Sequence, residues 1–177
     1  DYNVYVIAGD GDLQEGVCAE ASSLAGHLGL DNLIVIYDDN HITIDGDTNI
    51  TFTEDVAKRY KAYGWGVITV DGDGNDLTAI EKAVKKAKRT KGKPTIIKLR
   101  THIAYGSPNK QDTAAAHGAP LGEDEIRLMK ENFGFDPEKT FYIPEEVKNH
   151  MTMVREKGNK AEKSWQRKFN RYAKQYP

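Results

Sequence analysis

The segment Val4–Gly16 has the sequence VYVIAGDGDLQEG, and it determines the predicted fold. Val4–Ala8 is a continuous apolar run, which predicts a β-strand covered on both faces. Gly9 and Gly11 follow directly, and they permit a tight turn with close approach of the backbone to a ligand. Ligands in open α/β sheets bind beyond the carboxyl ends of the strands, so the sequence predicts a binding site at this turn.

Three further apolar runs have the same continuous character and predict the remaining strands. They are Leu33–Tyr37, Gly66–Val70 and Thr95–Leu99. Segments with apolar residues at helical spacing lie between the strands. They are Gly16–Leu28, Thr53–Tyr63 and Asp76–Thr90. This alternation predicts an α/β fold, in which a parallel β-sheet is flanked by helices.

The sequence pattern divides the chain into three parts. Residues 1–102 form the predicted βαβ core. Residues 103–122 are rich in glycine and proline, and they form a long loop that we expect to belong to the active site. Residues 123–177 form a helical C-terminal part. Its extra helices are predicted at about 123–132, 144–156 and 160–175. Because almost nothing precedes the first strand, we expect the chain to be truncated.

Charge and cysteine content exclude several function classes. The 177 residues contain 25 Lys and Arg against 27 Asp and Glu, and this near balance gives no basis for a nucleic-acid or anionic-membrane partner. The sequence has no signal-peptide pattern and no apolar stretch long enough to cross a membrane. Cys18 is the only cysteine, so no intrachain disulfide can form and we expect a reducing, cytoplasmic location.

Two oxygen-bearing side chains occupy equivalent positions after predicted strands. Asp10 follows the first strand, and Asn40 follows the second. Carboxylate and amide oxygens are ligands for Mg²⁺ or Ca²⁺, and phosphate oxygens, a backbone carbonyl and water can complete the shell. The helix expected to begin around Glu15 would direct its N-terminal amides at the phosphate groups. The pattern therefore predicts a magnesium–diphosphate site.

This motif and several further blocks resemble the transketolase family, whose members depend on thiamine diphosphate. The blocks are Gly9–Gly16 (GDGDLQEG), Tyr37–Asn40 (YDDN), Ile42–Gly46 (ITIDG), Asp55–Tyr60 (DVAKRY), Tyr105–Lys110 (YGSPNK) and His117–Gly122 (HGAPLG). The resemblance covers essentially all 177 residues and implies the thiamine-diphosphate-binding fold. The chain would form the later, C-terminal part of the diphosphate-binding domain. The N-terminal part of that domain and the pyrimidine-binding domain have no counterpart in it.

The resemblance assigns the cation and diphosphate contacts. Asp10 and Asn40 correspond to the side-chain ligands of the cation, and Ile42 corresponds to the residue whose backbone carbonyl binds the same ion. Gly9 and Gly11 correspond to the turn around the diphosphate. The cofactor implied is thiamine diphosphate, with Mg²⁺ as the expected ion and Ca²⁺ as the alternative.

The resemblance also implies contacts with the rest of the cofactor. Ile44 would lie against it and Ile103 would pack near its thiazolium ring. His117 would contact the diphosphate and face the substrate channel, which makes it the candidate catalytic residue. Glu15, the remaining cofactor-site residue, corresponds to an interface carboxylate that links two cofactor sites, and His102 is a candidate for a supporting role. Without the resemblance, isoleucines at such positions would be assigned to the core.

The resemblance implies a reaction and its partners. Transketolases transfer a two-carbon ketol unit from a ketose phosphate to an aldose phosphate. They activate the cofactor with a glutamate of the pyrimidine-binding domain of the other subunit, which this chain lacks. We therefore expect sugar-phosphate substrates and either a homodimer or a partner chain that carries the pyrimidine-binding domain. The isolated chain is predicted to show no measurable ketol transfer and to leave a strand edge exposed.

Three alternatives stay open on the sequence. The chain could be a non-catalytic or split-subunit module that binds thiamine diphosphate. It could be a relative of dihydroxyacetone synthase or of 1-deoxyxylulose-phosphate synthase, although Leu13–Gly16 and the block at His117 favour transketolase. A flavodoxin-like nucleotide fold would match the sheet pattern, but it gives no reason for Asn40.

Overall fold

A parallel β-sheet forms the centre of the fold, which confirms the predicted fold class. The computed structural model describes residues 2–70 and 72–177, and in these residues the sheet has four strands. They are β1 (Val4–Gly9), β2 (Leu33–Asp39), β3 (Gly66–Val70) and β4 (Thr95–Arg100). The strands lie in the order β1–β2–β4–β3, and each neighbouring pair is parallel.

Helices connect the strands and follow β4. They are α1 (Asp10–Gln14), α2 (Gly16–His27), α3 (Val56–Ala62), α4 (Leu77–Ala87), α5 (Glu123–Asn132) and α6 (Glu145–Gln175). Carboxylate caps fix where two of them begin. At the start of α3, Asp55 accepts the N–H of Lys58 at 2.9 Å. At the start of α4, Asp76 accepts the N–H groups of Thr78 and Ala79.

Side chains of the sheet pack into two cores, because successive residues of a strand point to opposite faces. On one face, Val35 and Tyr37 of β2 pack with Ile96 of β4 and with residues of α2 and α3. On the other face, Ile34 of β2 and Ile97 of β4 pack with residues of β3 and α4. The two central strands are therefore covered on both faces, as their continuous apolar sequences predict.

Helix α2 approaches the segment between α3 and β3 very closely. Gly26 of α2 faces the backbone of Tyr63, and a Cβ atom on Gly26 would lie 1.8 Å from the Tyr63 carbonyl oxygen. The indole N–H of Trp65 donates to the carbonyl oxygen of Ser22 at 2.8 Å, and its ring packs edge-on against Tyr60. A residue without a side chain is therefore required at position 26.

Strand β1 differs from the predicted buried strand. It lies at an edge of the sheet beside β2, and Val4, Tyr5, Val6 and Ile7 are between 39% and 77% exposed. The prediction that this strand is covered on both faces was wrong for the described residues. Apolar composition shows that a strand can be covered, but not that the helices of the same chain reach it. The predicted exposed strand edge is present.

Two helix predictions were wrong in detail. Helix α1 follows β1 directly, where the sequence indicated a turn, and the Asp12 carboxylate accepts the N–H of Gly9 at 2.8 Å. Helix α6 is continuous over Glu145–Gln175, where two helices were predicted at about 144–156 and 160–175. Gly158 lies at the predicted break, but a glycine inside a helix costs only about 1 kcal/mol.

The chain forms two units, Asp1–Phe135 and Asp136–Pro177. The first contains the sheet together with α1 to α5, and the second contains α6. Within residues 2–70 and 72–177, no helix combines the length and the apolar character needed to cross a membrane.

Candidate functional site

The carboxyl ends of β1, β2 and β4 meet at one edge of the sheet. Gly9 pairs with Asp38, and Asp39 pairs with Arg100, so the segments that follow these strands begin side by side. A cavity of about 760 Å³ opens at this edge. Its wall contains predicted site residues from several separate segments. They are Gly9, Asp10, Gly11, Asn40, Ile42, Ile103 and His117.

Two predicted residues lie outside this wall. Glu15 is exposed between α1 and α2, and Ile44 is 72% exposed. The chain as described does not bring them to the cavity, so their cofactor contacts stay predictions. His102, the candidate for a supporting role, does line the cavity, and its Nδ1 lies 2.9 Å from the carboxylate of Asp112.

Asp10 is a buried carboxylate held by two donors. It is 2% exposed and is the first residue of α1. The Tyr37 hydroxyl donates to Oδ1, and the N–H of His41 donates to Oδ2 at 2.8 Å. Burial raises the pKa of Asp10, while the two hydrogen bonds favour its ionised form. Both oxygens are therefore fixed in place at the wall of the cavity.

The segment Asn40–Ile42 turns sharply beside Asp10. His41 has a φ of +66°, a left-handed conformation that is uncommon outside glycine. The Asn40 side-chain oxygen accepts the N–H of Ile42 at 2.9 Å, and the carbonyl oxygen of His41 accepts the N–H of Thr48 at 2.9 Å. These bonds stabilise the segment in the observed conformation, in which Asn40 and Ile42 share the cavity wall with Asp10.

The residues in this wall fit a hard cation bound together with a phosphate group. Asp10 offers a carboxylate, Asn40 an amide oxygen and Ile42 a backbone carbonyl, and Mg²⁺ and Ca²⁺ prefer such oxygen ligands. In the described residues, no group of three or more His, Cys, Asp or Glu side chains could hold a metal ion. These few ligands leave room for phosphate oxygens and water, as expected for an ion shared between protein and diphosphate.

Helix α5 holds the loop that carries Ile103 and His117. Glu125 of α5 is only 8% exposed and accepts three hydrogen bonds from the loop. The donors are the Ser107 hydroxyl at 2.5 Å, the Asn109 N–H at 2.8 Å and the Asn109 side-chain amide at 2.9 Å. Sequence reasoning missed Glu125, because an acidic residue in the first turn of a helix normally indicates a solvent-exposed position.

The Glu125 contacts make loop attachment dependent on pH. Hydrogen bonds from Ser107 and Asn109 lower the pKa of Glu125 from its ordinary value of 4.5. A lowered pKa in the folded state adds stability that is complete above the ordinary pKa and disappears as the pH falls through the folded-state pKa. We therefore expect Glu125→Gln to lower the melting temperature at neutral pH, and this difference to shrink steadily below pH 4.5.

Thermal unfolding across a pH series measures this difference. Glu123→Gln is the matched control, because Glu123 is exposed in the same turn of α5. It is expected to change the melting temperature little at any pH. If Glu125→Gln lowered the melting temperature by the same amount in acid as at neutral pH, ionised Glu125 would not be the group that stabilises the loop.

Comparisons with known proteins identify the family of this chain. The family model described as transketolase, thiamine diphosphate binding domain, matches residues 1–177. The chain is similar to transketolase 1 of Saccharomyces cerevisiae, with 51% identity, and to the transketolase of Nostoc sp., with 50% identity. It is also similar to the solved Pichia stipitis transketolase in complex with sedoheptulose-7-phosphate, with a TM-score of 0.90 and 46% identity. Each similarity covers 100% of this chain and 26% of the other protein, so the chain spans about a quarter of their length.

Proposed function

Because this chain belongs to the transketolase family, as a thiamine diphosphate binding domain, we propose that it binds the diphosphate and cation of a ketol-transferring enzyme. The reaction is the transfer of a two-carbon ketol unit from a ketose phosphate to an aldose phosphate. One observation carries the proposal. Asp10, Asn40 and Ile42 share one cavity wall with Ile103 and His117, at the edge of the sheet where such folds bind ligands.

The residues of this chain bind and orient the cofactor. Asp10, Asn40 and Ile42 hold the cation, which we propose to be Mg²⁺, with Ca²⁺ as a substitute. Gly9 and Gly11 line the same wall, where their small size lets the backbone approach the diphosphate. When bound, thiamine diphosphate supplies a nucleophilic carbon and an electron sink.

His117 and Ile103 face the cavity from the loop after β4. We assign His117 to the diphosphate and to the substrate channel, because its imidazole can donate hydrogen bonds to phosphate or sugar oxygens. Ile103 supplies an apolar surface for the thiazolium ring. Glu125 supports both residues indirectly, since it fixes the loop between them to α5.

The substrates and partners of the proposed enzyme follow from its relatives. The Pichia stipitis transketolase was solved with a sugar phosphate, which supports sugar-phosphate substrates for this protein. We propose a homodimer, or a pair with a chain that carries the pyrimidine-binding domain, because cofactor activation requires a glutamate from that domain. The location proposed is the cytoplasm, on the basis of Cys18 as the only cysteine.

An assay of the full-length gene product tests this function. A ketose phosphate donor and an aldose phosphate acceptor are supplied with thiamine diphosphate and Mg²⁺, and we expect transfer that depends on all four. A polypeptide of residues 1–177 is assayed beside it and is expected to show no measurable transfer. Transfer by the isolated polypeptide would contradict the requirement for a second domain.

The same proteins separate catalysis from binding alone. Calorimetric titration with thiamine diphosphate, with and without Mg²⁺, measures binding directly. A full-length protein that binds the cofactor but transfers no ketol unit would identify a non-catalytic module instead.

A further inference from the structure

We propose that Asp39 is a positioning residue of the cation site, acting through the side chain of His41. This inference rests on the proposed cation site at Asp10, Asn40 and Ile42. It adds a residue that binds neither the cation nor the cofactor. Asp39 lies in a second, smaller cavity beside the site, of about 170 Å³, whose wall also contains Asp10, Tyr37 and His41.

Asp39 is a buried carboxylate with a full set of partners. It is the last residue of β2 and is 4% exposed. Lys98 Nζ lies 3.1 Å from Oδ2, and His41 Nε2 lies 3.3 Å from Oδ1. Its backbone carbonyl accepts hydrogen bonds from the Arg100 guanidinium at 2.7 Å and from the Thr101 N–H at 3.3 Å. A buried carboxylate with this many partners is rigidly placed, and it can serve as a fixed point for what it contacts.

His41 transmits this fixed position to the cation ligands. Its left-handed backbone is unfavourable for a residue with a side chain, and such a conformation persists only when surrounding contacts determine it. Its N–H donates to Asp10, its carbonyl accepts from Thr48, and its imidazole contacts Asp39. The imidazole contact is the one that a change at position 39 removes.

The position of His41 in the chain makes this contact important for the cation. His41 separates Asn40 from Ile42, so its φ angle helps to set the orientation of these two residues relative to each other. Without the Asp39 contact, position 41 can relax to a right-handed conformation. That change would turn its N–H away from Asp10 and move the ligands on both sides. Lys98 balances the charge of Asp39, so the latter does not act as a competing cation ligand.

Magnesium titration of the full-length gene product tests the proposal. Calorimetry with magnesium chloride, at saturating thiamine diphosphate and fixed pH, gives the dissociation constant without any activity measurement. Asp39→Asn is expected to weaken Mg²⁺ binding about tenfold, the lower range for residues that support metal ligands. Asp45→Asn removes one negative charge from an exposed position of the following loop, and it should change binding by less than about twofold.

Substitutions at position 41 distinguish positioning from simple electrostatics. Glycine adopts a φ of +66° without strain and alanine does not, so His41→Gly is expected to bind Mg²⁺ more tightly than His41→Ala. Both variants keep the ion pair of Asp39 and Lys98. Their Mg²⁺ affinities therefore test the proposal even if Asp39→Asn fails to fold. In a His41→Gly background, adding Asp39→Asn should change binding by less than about twofold, because the contact is already absent.

Three results would overturn the proposal. The first is a tenfold loss of Mg²⁺ affinity from Asp39→Asn in both the wild-type and the His41→Gly background. Asp39 would then act on the cation through space and not through His41. The second is equal affinity of the His41→Gly and His41→Ala variants. The third is unchanged Mg²⁺ binding by Asp39→Asn in a wild-type background that does bind Mg²⁺. A wild-type protein that binds no Mg²⁺ at all would instead overturn the proposed function, and the inference with it.

Discussion

Asp10→Ala in the full-length gene product is expected to weaken Mg²⁺-dependent binding of thiamine diphosphate by more than about 100-fold. Mutation of a residue that only supports a metal ligand typically lowers metal affinity about 10- to 100-fold. Asp10 is the proposed ligand itself, so the expected loss is larger. It is the one buried carboxylate that lines the large cavity among the described residues, and two hydrogen bonds fix its oxygens. Asp12 and Asp38 also line this wall, but the Asp12 carboxylate accepts the N–H of Gly9 and the Asp38 carboxylate accepts the hydroxyl of Thr101.

Calorimetry with thiamine diphosphate at saturating Mg²⁺ measures this loss. Asp10→Asn is the matched variant, because it keeps nearly the same shape and removes the charge. It should lose most of the same affinity if the cation contact is the cause. Thermal unfolding supplies a second measurement, since a bound ligand stabilises the native state. Wild-type protein should gain stability from cofactor with Mg²⁺, whereas a comparable gain in Asp10→Ala would show that the cation binds elsewhere.

Gly26→Ala is expected to lower the free energy of unfolding by about 3 kcal/mol, at the upper end of the usual range for overpacking. The added methyl group would lie 1.8 Å from the carbonyl oxygen of Tyr63 and 3.3 Å from the ring of Trp65. A backbone atom cannot rotate out of the way as a side chain can. Helix α2 would have to move away from the segment before β3, which would open the core around Tyr60 and Trp65.

Chemical denaturation of both proteins measures the predicted loss. Gly16→Ala is the control, because Gly16 begins the same helix and a methyl group there would meet no other part of the fold within 4 Å. It is expected to change the free energy of unfolding by less than about 1 kcal/mol. Equal stabilities of Gly26→Ala and Gly16→Ala would mean that α2 shifts freely and that the close contact is not required.

Most of the sheet could be predicted from the sequence, because strands and helix ends are marked by short-range sequence patterns. Continuous apolar runs such as Leu33–Tyr37 identify strands, and glycines and carboxylate caps mark where the helices start and stop. The exposure of β1 could not be predicted, because it depends on which elements lie beside it rather than on its own composition. The continuity of α6 through Gly158 depends on a small free-energy difference that sequence pattern does not resolve.

The candidate site was predictable where its residues directly follow strands. Because the carboxyl ends of parallel strands lie at a common edge of the sheet, the sequence predicts that Asp10 and Asn40 lie close together. No role was predicted for Asp39 or Glu125, although Asp39 belongs to the quoted block Tyr37–Asn40. Their importance comes from burial against partners distant in sequence, Lys98 for Asp39 and Ser107 for Glu125, and such partners follow only from the three-dimensional structure.

The strand order β1–β2–β4–β3 has a consequence for the timing of folding. During synthesis β2 can pair with β1 early, but its other edge waits for β4, whose last residue is Arg100. Arg100 and Thr101 donate to the carbonyl of Asp39, next to Asn40, a proposed cation ligand. Non-local parallel pairings form slowly because a long loop must close first. We therefore expect the proposed cation site to form late during synthesis, after residues well beyond Asp10 and Asn40 have emerged from the ribosome.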